Sequence, residues 1–339
     1  GGKGAQVTFD RFAALADTFP FEEPAKPSAG QFGLIVREPV GVVGAIIPWN
    51  APIGLISNKV APALLAGCTV ILKSSPEAPG EGYLIAEAAE AIGLPPGVLN
   101  VVTADREVSE LLVRDPRIDK ITFTGSTAAG RRIASICGER IARCTLELGG
   151  KAAAVILDDM NVETAARTLS QAECFLSGQV CSSLTRIVVP RSRHDELLEA
   201  LASTFSQVRV GDPFNAQTQM GPLAAERQRD RVEGYIAKGV ADGATLATGG
   251  GRPKDLDRGW YVEPTVFGND VNRARQVAAQ LRSGTVGHNA FRTDFGVSFG
   301  GFKQSGIGRE GVHEGLPHFL ETKFVVLEGP PEGYEDTAL

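Results

Sequence analysis

The chain has 339 residues, 43% of them hydrophobic, and carries a formal net charge of −6 with a pI near 5.4. That is enough apolar material for a sizeable core in about two domains, and the scattered charges lack the basic tracts that follow a nucleic-acid backbone. No apolar run is long enough to span a bilayer, and Gly1 onward has neither a basic start nor an apolar signal core, so a cytoplasmic protein without membrane or nucleic-acid partners is expected.

In chain order, β-branched runs alternate with helical stretches: VGVVGAIIP, SNKVAPALLAG, CTVILK, EGYLIAEAAEAIG, VLNVVTA, KITFTGS and STAAGRRIASICG. This rhythm predicts parallel strands with helical crossovers, a doubly wound, Rossmann-like α/β sheet. A second α/β series runs through AAAVILDD, DMNVETAARTLSQAECFL, LTRIVVP and HDELLEALASTFSQV, and its strand-rich end reaches GWYVEPTVFG. Two extended segments, QFGLIVREP and HFLETKFVVLE, stand outside the rhythm and are expected to pair with each other or with a neighbouring subunit. FPFEEPAKPSAG reads as a surface crossing.

The cysteines (Cys68, Cys137, Cys144, Cys174, Cys181) form no CxxC pair, and the four histidines no HExxH-like arrangement, so neither a disulfide framework nor a metal site is expected. In FLSGQVCSSLTR, Ser177-Gly178-Gln179 breaks a helix and sets Cys181 on a turn, where its thiol can attack a carbonyl; the competing reading is a small buried residue. LELGGK puts one acid, Glu147, in an apolar strand end, either a solvated carboxylate or a general base with a raised pKa. In IIPWN, Asn50 is a turn residue or a donor to an oxyanion, and Trp49 a packing residue or a site residue. LKSSPE ends a strand with Lys73. FTGSTAAG joins strand to helix through Gly125-Ser126, which either caps the helix or cradles a phosphate. The late glycine cluster SFGGFKQSGIGREG reads as turns, with Lys303 and Arg309 solvated and no chemistry of its own.

Taken in order, PWN, LKSSPE, FTGSTxxG, LELGGK, GQVC, EPTVF and FGGFKQSGIGRE resemble the aldehyde dehydrogenase superfamily over nearly the whole chain. The resemblance implies oxidation of a small-molecule aldehyde to a carboxylic acid with NAD, NADP being the alternative. Cys181 matches the nucleophile that forms the thiohemiacetal and thioester, Asn50 the oxyanion donor, and Glu147 the base that activates water. Its presence points to the hydrolytic branch. Lys73 matches a ligand of the adenosine ribose, and Trp49 and Ser126 lie near the pyrophosphate. Ile46, Pro48, Glu77, Phe123, Thr124, Gly125, Gly130, Leu148 and Gly149 complete the implied cofactor set, with Gln228 a weaker ribose candidate. The implied domains are a cofactor-binding domain over 1–146 with an oligomerisation strand at 31–40, a catalytic domain over 147–316, and an oligomerisation segment over 317–339. A homodimer or homotetramer follows.

Three departures stand out. The family carries a further segment ahead of the residues matching Gly1 onward. EPTVFGND runs directly into VNRARQVAAQ, which places a discontinuity near residues 269–271, where relatives have a segment with an EEIFGP motif. Ala104 and Ser109 stand where many relatives have glycines. Apart from these, Pro76 stands where NAD-preferring relatives have a glutamate, with Glu77 following it. The alternative functions are a catalytically silent relative and a cofactor-independent cysteine esterase or nitrilase-like hydrolase. Phe175 and Leu176 could line an apolar tunnel, though a core phenylalanine is the simpler expectation.

Overall fold

The computed structural model describes residues 2–268 and 294–337; the expected discontinuity at 269–271 lies outside them. The chain divides into two compact units, Gly1–Leu148 with Thr293–Leu339, and Gly149–Arg292. The first opens with α1 (Gly2–Ala16), β1 (Glu22–Ala25), β2 (Phe32–Pro39) and β3 (Val42–Ile46). It continues through α2 (Pro52–Leu65), β4 (Thr69–Ser74), α3 (Gly80–Ala91), β5 (Leu99–Thr103), α4 (Arg106–Arg114), β6 (Lys120–Gly125), α5 (Thr127–Glu139) and β7 (Arg143–Leu148). The second contains β8 (Ala153–Val155), α6 (Val162–Cys174), β9 (Arg186–Val188), α7 (His194–Ser206), α8 (Glu226–Ala241), β10 (Thr245–Thr248) and β11 (Val266–Gly268). The chain then returns to the first unit with β12 (Gly306–Ile307), α9 (Val312–Gly315) and β13 (Leu320–Leu327).

The main sheet has the order β12-β7-β6-β3-β4-β5. Strands β3 to β7 are parallel to their neighbours, as the strand–helix rhythm predicts, and β12 runs antiparallel to β7 at one edge. Period-two alternation along β3 serves both faces. Val43, Ala45 and Ile47 pack with α1 and α2, whereas Ile46 joins Ile121, Phe123 and Leu146 under Val113 of α4 and Ile133 and Ile136 of α5. Each fully buried Val, Ile or Leu contributes about 1.5–3 kcal/mol. Helix α2 is apolar nearly all round and buried accordingly, which makes its three buried polar residues, Ser57, Asn58 and Lys59, conspicuous.

Short, charged α4 falls outside the predicted rhythm; its first turn is fixed by the Asp105 cap rather than by an apolar stripe, and Val113 is its buried residue. The two extended segments pair with each other, β13 running antiparallel to β2 from Leu320↔Pro39 to Leu327↔Phe32. FPFEEPAKPSAG is more than a crossing: it supplies β1 on the other side of β2, with Pro24 tolerated because β1 is an edge strand. Residues 294–316, grouped by sequence with the second domain, cluster with the first unit, where β12 pairs with β7. In the second unit, Val162, Ala166 and Leu169 of α6 share a core with Leu197, Leu201 and Phe205 of α7.

Candidate active site

The sheet reverses direction of growth at β3. The chain builds outward through β4 and β5 on one side, then crosses to β6 and β7 on the other. In such sheets ligands bind outside the carboxyl ends of the strands at the switch point. Parallel register sets Ile46 level with Lys73 and with Phe123, Thr124 level with Glu147, and Gly125 level with Leu148. Ile46, Pro48, Trp49, Asn50, Lys73, Phe123, Thr124, Gly125, Ser126, Glu147 and Leu148 are thus gathered along one edge of one sheet, with Glu77 in the turn that follows β4 and Gly149 directly after β7.

Not all of these are free for a ligand. Ser126 caps α5, its Oγ accepting from the Ala129 N–H at 3.2 Å. Phe123 is a core residue, and a Cβ on Gly125 would lie 2.4 Å from its ring. A Cβ on Gly130 would lie 2.5 Å from Leu148, so this glycine serves helix–strand packing. Between the two readings of FTGSTAAG, capping is directly visible. The turn still leaves the N-terminus of α5 at the switch point, where its first N–H groups suit a pyrophosphate.

Lys73 is different. It is 8% exposed, and among the described residues no hydrogen bond or ion pair engages its ammonium. Burial pushes its pKa down, opposed by the charge of Asp105. A buried cation without a partner is costly, and the ribose hydroxyls or phosphates of a dinucleotide would satisfy it. Ser75 Oγ donates to Glu77 in the same turn. Thr124 Oγ1, also buried at this edge, has no partner among the described residues.

Glu147 is 5% exposed, which overturns the solvated reading. It sits in β7 between Thr124 and Gly306 of β12, and its Oε1 finds no partner among the described residues. Burial pushes its pKa up to about 8, with repulsion from Glu310 adding to the shift and Lys59 and Arg309 opposing it. Glu310 forms an ion pair with Lys59 of α2, 4% and 0% exposed at their side chains, and Lys59 Nζ also donates to Thr122 Oγ1 at 3.4 Å. A Cβ on Gly300 would lie 2.8 Å from Glu147 Oε1. The arrangement is a protonatable carboxyl held beside a fixed ion pair, suited to taking a proton from water.

Lys59 and Glu310 escape the sequence reading. A lysine inside a mostly apolar helix is the available signal for the first; the second lies in the glycine cluster, read as turns without chemistry. That cluster also holds Arg309, expected in solvent. Its guanidinium instead donates to the Gly301 and Gly308 carbonyls at 3.1 and 2.7 Å, while Lys303 is exposed.

In the second unit, Cys181 lies on a turn and is exposed. Helix α6 ends at Cys174, and Leu176 and Ser177 follow with φ of 50° and 56°, a strained pair for side-chain-bearing residues. The loop is tied down at several points. Ser177 Oγ donates to the Gly221 carbonyl at 3.0 Å, Gln179 Oε1 accepts from the Ala224 N–H at 3.0 Å, and the Leu184 N–H donates to Glu173 at 2.8 Å. Phe175 is 57% exposed, contrary to the core expectation. Burial pushes the Cys68 thiol up and the Cys174 thiol up to about 11. Cys144 is lowered to about 7 by a hydrogen bond from Cys137, yet it lies at the amino end of β7, away from the switch point. Gln228 falls in the first turn of α8.

Among the described residues there is no cluster of metal-ligating side chains, and no helix long and apolar enough to cross a membrane. The family model for the aldehyde dehydrogenase family matches residues 3–269 and 265–325. The geranial dehydrogenase of Castellaniella defragrans is 40% identical over 365 aligned residues, covering 94% of this chain and 76% of that protein. A crystal structure of a Mycobacterium tuberculosis aldehyde dehydrogenase complexed with NAD+ superposes with a TM-score of 0.89 at 40% identity, covering 98% of this chain and 77% of that one. The betaine aldehyde dehydrogenase of Staphylococcus aureus in complex with NAD+ gives a TM-score of 0.90 at 31% identity, covering 99% and 77%. With a doubly wound sheet, a buried glutamate at its switch point and a family match over almost all of its length, the chain belongs to the aldehyde dehydrogenase family.

Proposed function

We propose that this chain oxidises an aldehyde to the carboxylic acid with NAD+, using Cys181 as nucleophile, Asn50 as oxyanion donor and Glu147 as general base. The observation that carries the reading is the state of Glu147: buried, with an unpartnered oxygen and a pKa near 8, at the carboxyl edge of the sheet. A carboxyl so tuned holds a proton at neutral pH and becomes a strong base once ionised.

The Cys181 sulfur adds to the aldehyde carbon, the carbonyl π bond opens, and the thiol proton ends on the former carbonyl oxygen as the thiohemiacetal forms; that proton is released to solvent when the adduct is oxidised. The amide N–H of Asn50 stabilises the charge that develops on the carbonyl oxygen. The dinucleotide, when bound, supplies the hydride acceptor that turns this adduct into a thioester. Glu147 then takes a proton from water as the oxygen attacks the thioester carbon. The C–S bond breaks as the acid leaves, and the Cys181 thiolate regains a proton, the one that Glu147 took from water. Lys73, the N-terminus of α5 and the 46–50 segment would hold the dinucleotide, with Lys73 reaching the ribose. The unpartnered Lys73 ammonium is the feature of this site that fits such a ligand.

The reading extends to a homo-oligomer, because β13 leaves one edge of its three-stranded sheet unpaired among the described residues, with Phe324 and Val326 about half exposed. Five cysteines in no disulfide suit a cytoplasmic setting. The direct test is Cys181→Ala. With aldehyde and NAD+ it should form no NADH while keeping its fold by circular dichroism. A variant as active as the parent rules out the nucleophile assignment.

A further inference from the structure

The ribose end of the cofactor reading carries an acid that neither the sequence resemblance nor the mechanism employs. Strands β4 and β5 run in parallel register, with Lys73 level with Val102 and Ser74 with Thr103, and the Ala104 N–H continues the ladder by donating to the Ser74 carbonyl at 3.3 Å. Asp105, the next residue, therefore leaves the sheet on the edge where Lys73 ends its strand. Among the described residues its charge opposes the lowering of the Lys73 pKa that burial causes. Asp105 also starts α4. Its Oδ1 accepts from the Arg106 N–H at 2.7 Å, and its carbonyl accepts from the Ser109 N–H at 3.0 Å and hydroxyl at 2.7 Å.

Two consequences follow. The N-terminus of α4, otherwise a natural phosphate seat, is already occupied by a fixed carboxylate. And the buried Lys73, the cation a phosphate would seek, already lies in the field of that same carboxylate. A ribose with free 2′ and 3′ hydroxyls suits this pair, donating to Asp105 and accepting from Lys73. A 2′-phosphate has a charge of about −2 and, at neutral pH, almost no donors, so it would face an acid where it needs a cation.

Resting on the cofactor reading above, we propose that Asp105 is a specificity-determining residue: it admits a dinucleotide with a free 2′-hydroxyl and turns away its 2′-phosphorylated counterpart.

The test is binding rather than turnover. ADP-ribose and 2′-phospho-ADP-ribose are titrated by calorimetry into the whole chain and into Asp105→Asn and Asp105→Ser. Both substitutions remove the charge and keep a good N-cap residue, so α4 is retained. The parent should bind ADP-ribose more tightly than its 2′-phosphate. Each variant should narrow that gap about five- to ten-fold, chiefly by tightening the 2′-phosphate, as expected for removing one charge several ångströms from another in a partly solvated site. If both ligands bind and the ratio is the same in parent and variants, the inference fails while the cofactor reading stands. A parent that prefers the 2′-phosphate overturns it equally. If neither ligand binds the parent, the cofactor reading falls and the inference with it.

Discussion

The two edges of the main sheet bury similar chemistry and treat it in opposite ways. At the amino edge, Lys120 is 2% exposed, but its Nζ donates to Thr145 Oγ1 at 2.7 Å and lies 4.9 Å from the centre of the Phe319 ring. Nearby, Asp119 accepts from the Val42 N–H at 2.8 Å, and the Cys68 thiol donates to the Phe319 carbonyl at 3.5 Å. At the carboxyl edge, Thr124 Oγ1 and Glu147 Oε1 are buried and without a hydrogen-bond partner among the described residues, and Lys73 is 8% exposed. Arg140 Nε, close to the amino edge, is an exception to this division. Buried polar groups in folded proteins are nearly always satisfied. A run of unsatisfied ones along the edge where such sheets bind ligands therefore marks the functional side, and the satisfied edge marks scaffold.

The largest effect that would sharpen this contrast is on turnover. Glu147→Gln removes the base but preserves shape, and should lower steady-state aldehyde oxidation by about 10²- to 10⁴-fold, while the first equivalent of NADH still forms in a rapid burst. Loss of the burst together with turnover would mean that Glu147 serves the fold or the first chemical step instead. The paired lysines give the next largest effect. Lys120→Met leaves Thr145 Oγ1 without its donor and removes a cation from the Phe319 ring, costing about 1–2 kcal/mol in denaturant melts. Lys73→Met removes a desolvated, unpartnered charge. It should leave stability unchanged or slightly raised while weakening NAD+ binding at least about ten-fold. Equal losses of stability in both variants would break the comparison.

Much of this division was legible in the sequence, and the reasons are local. Strands β3 to β7 are β-branched runs separated by helices, so the doubly wound sheet and the strand ends carrying Asn50, Lys73 and Glu147 follow from pattern. The exposure of Cys181 follows from a helix break. What the sequence hid depends on contacts between distant segments. The Lys59–Glu310 pair joins residues 251 positions apart. The burial of Glu147 depends on β12, a two-residue strand too short for any periodicity to announce. Helix α4 is recognisable by its Asp105 cap once the end of β5 is known, but it is only nine residues long and Val113 is its one buried residue, too short a face to stand out among the neighbouring elements. Conversely, Phe123, Gly125 and Gly130 match a cofactor motif, yet their geometry is accounted for by packing against one another and against Leu148.

The last test concerns how far the carboxyl edge is poised against its own fold. Glu147 has its pKa raised to about 8 in the folded protein, chiefly by burial, against about 4.5 for an exposed glutamate. Between these values the unfolded chain has released the proton while the folded chain keeps it. Folding then takes up a proton, and stability falls as pH rises. The slope is about 1.4 kcal/mol per pH unit for one proton. The contribution is fully present below about pH 4.5 and exhausted once the pH passes the folded value. Glu147→Gln cannot titrate there, so the stability of the parent relative to this variant should drop by about 1.4 kcal/mol between pH 6 and 7 and level off above about pH 8. Parallel stability curves across that range would mean that Glu147 is already ionised at neutral pH. The carboxyl edge would then be as well satisfied as the amino edge, and the contrast between them would lose its strongest member.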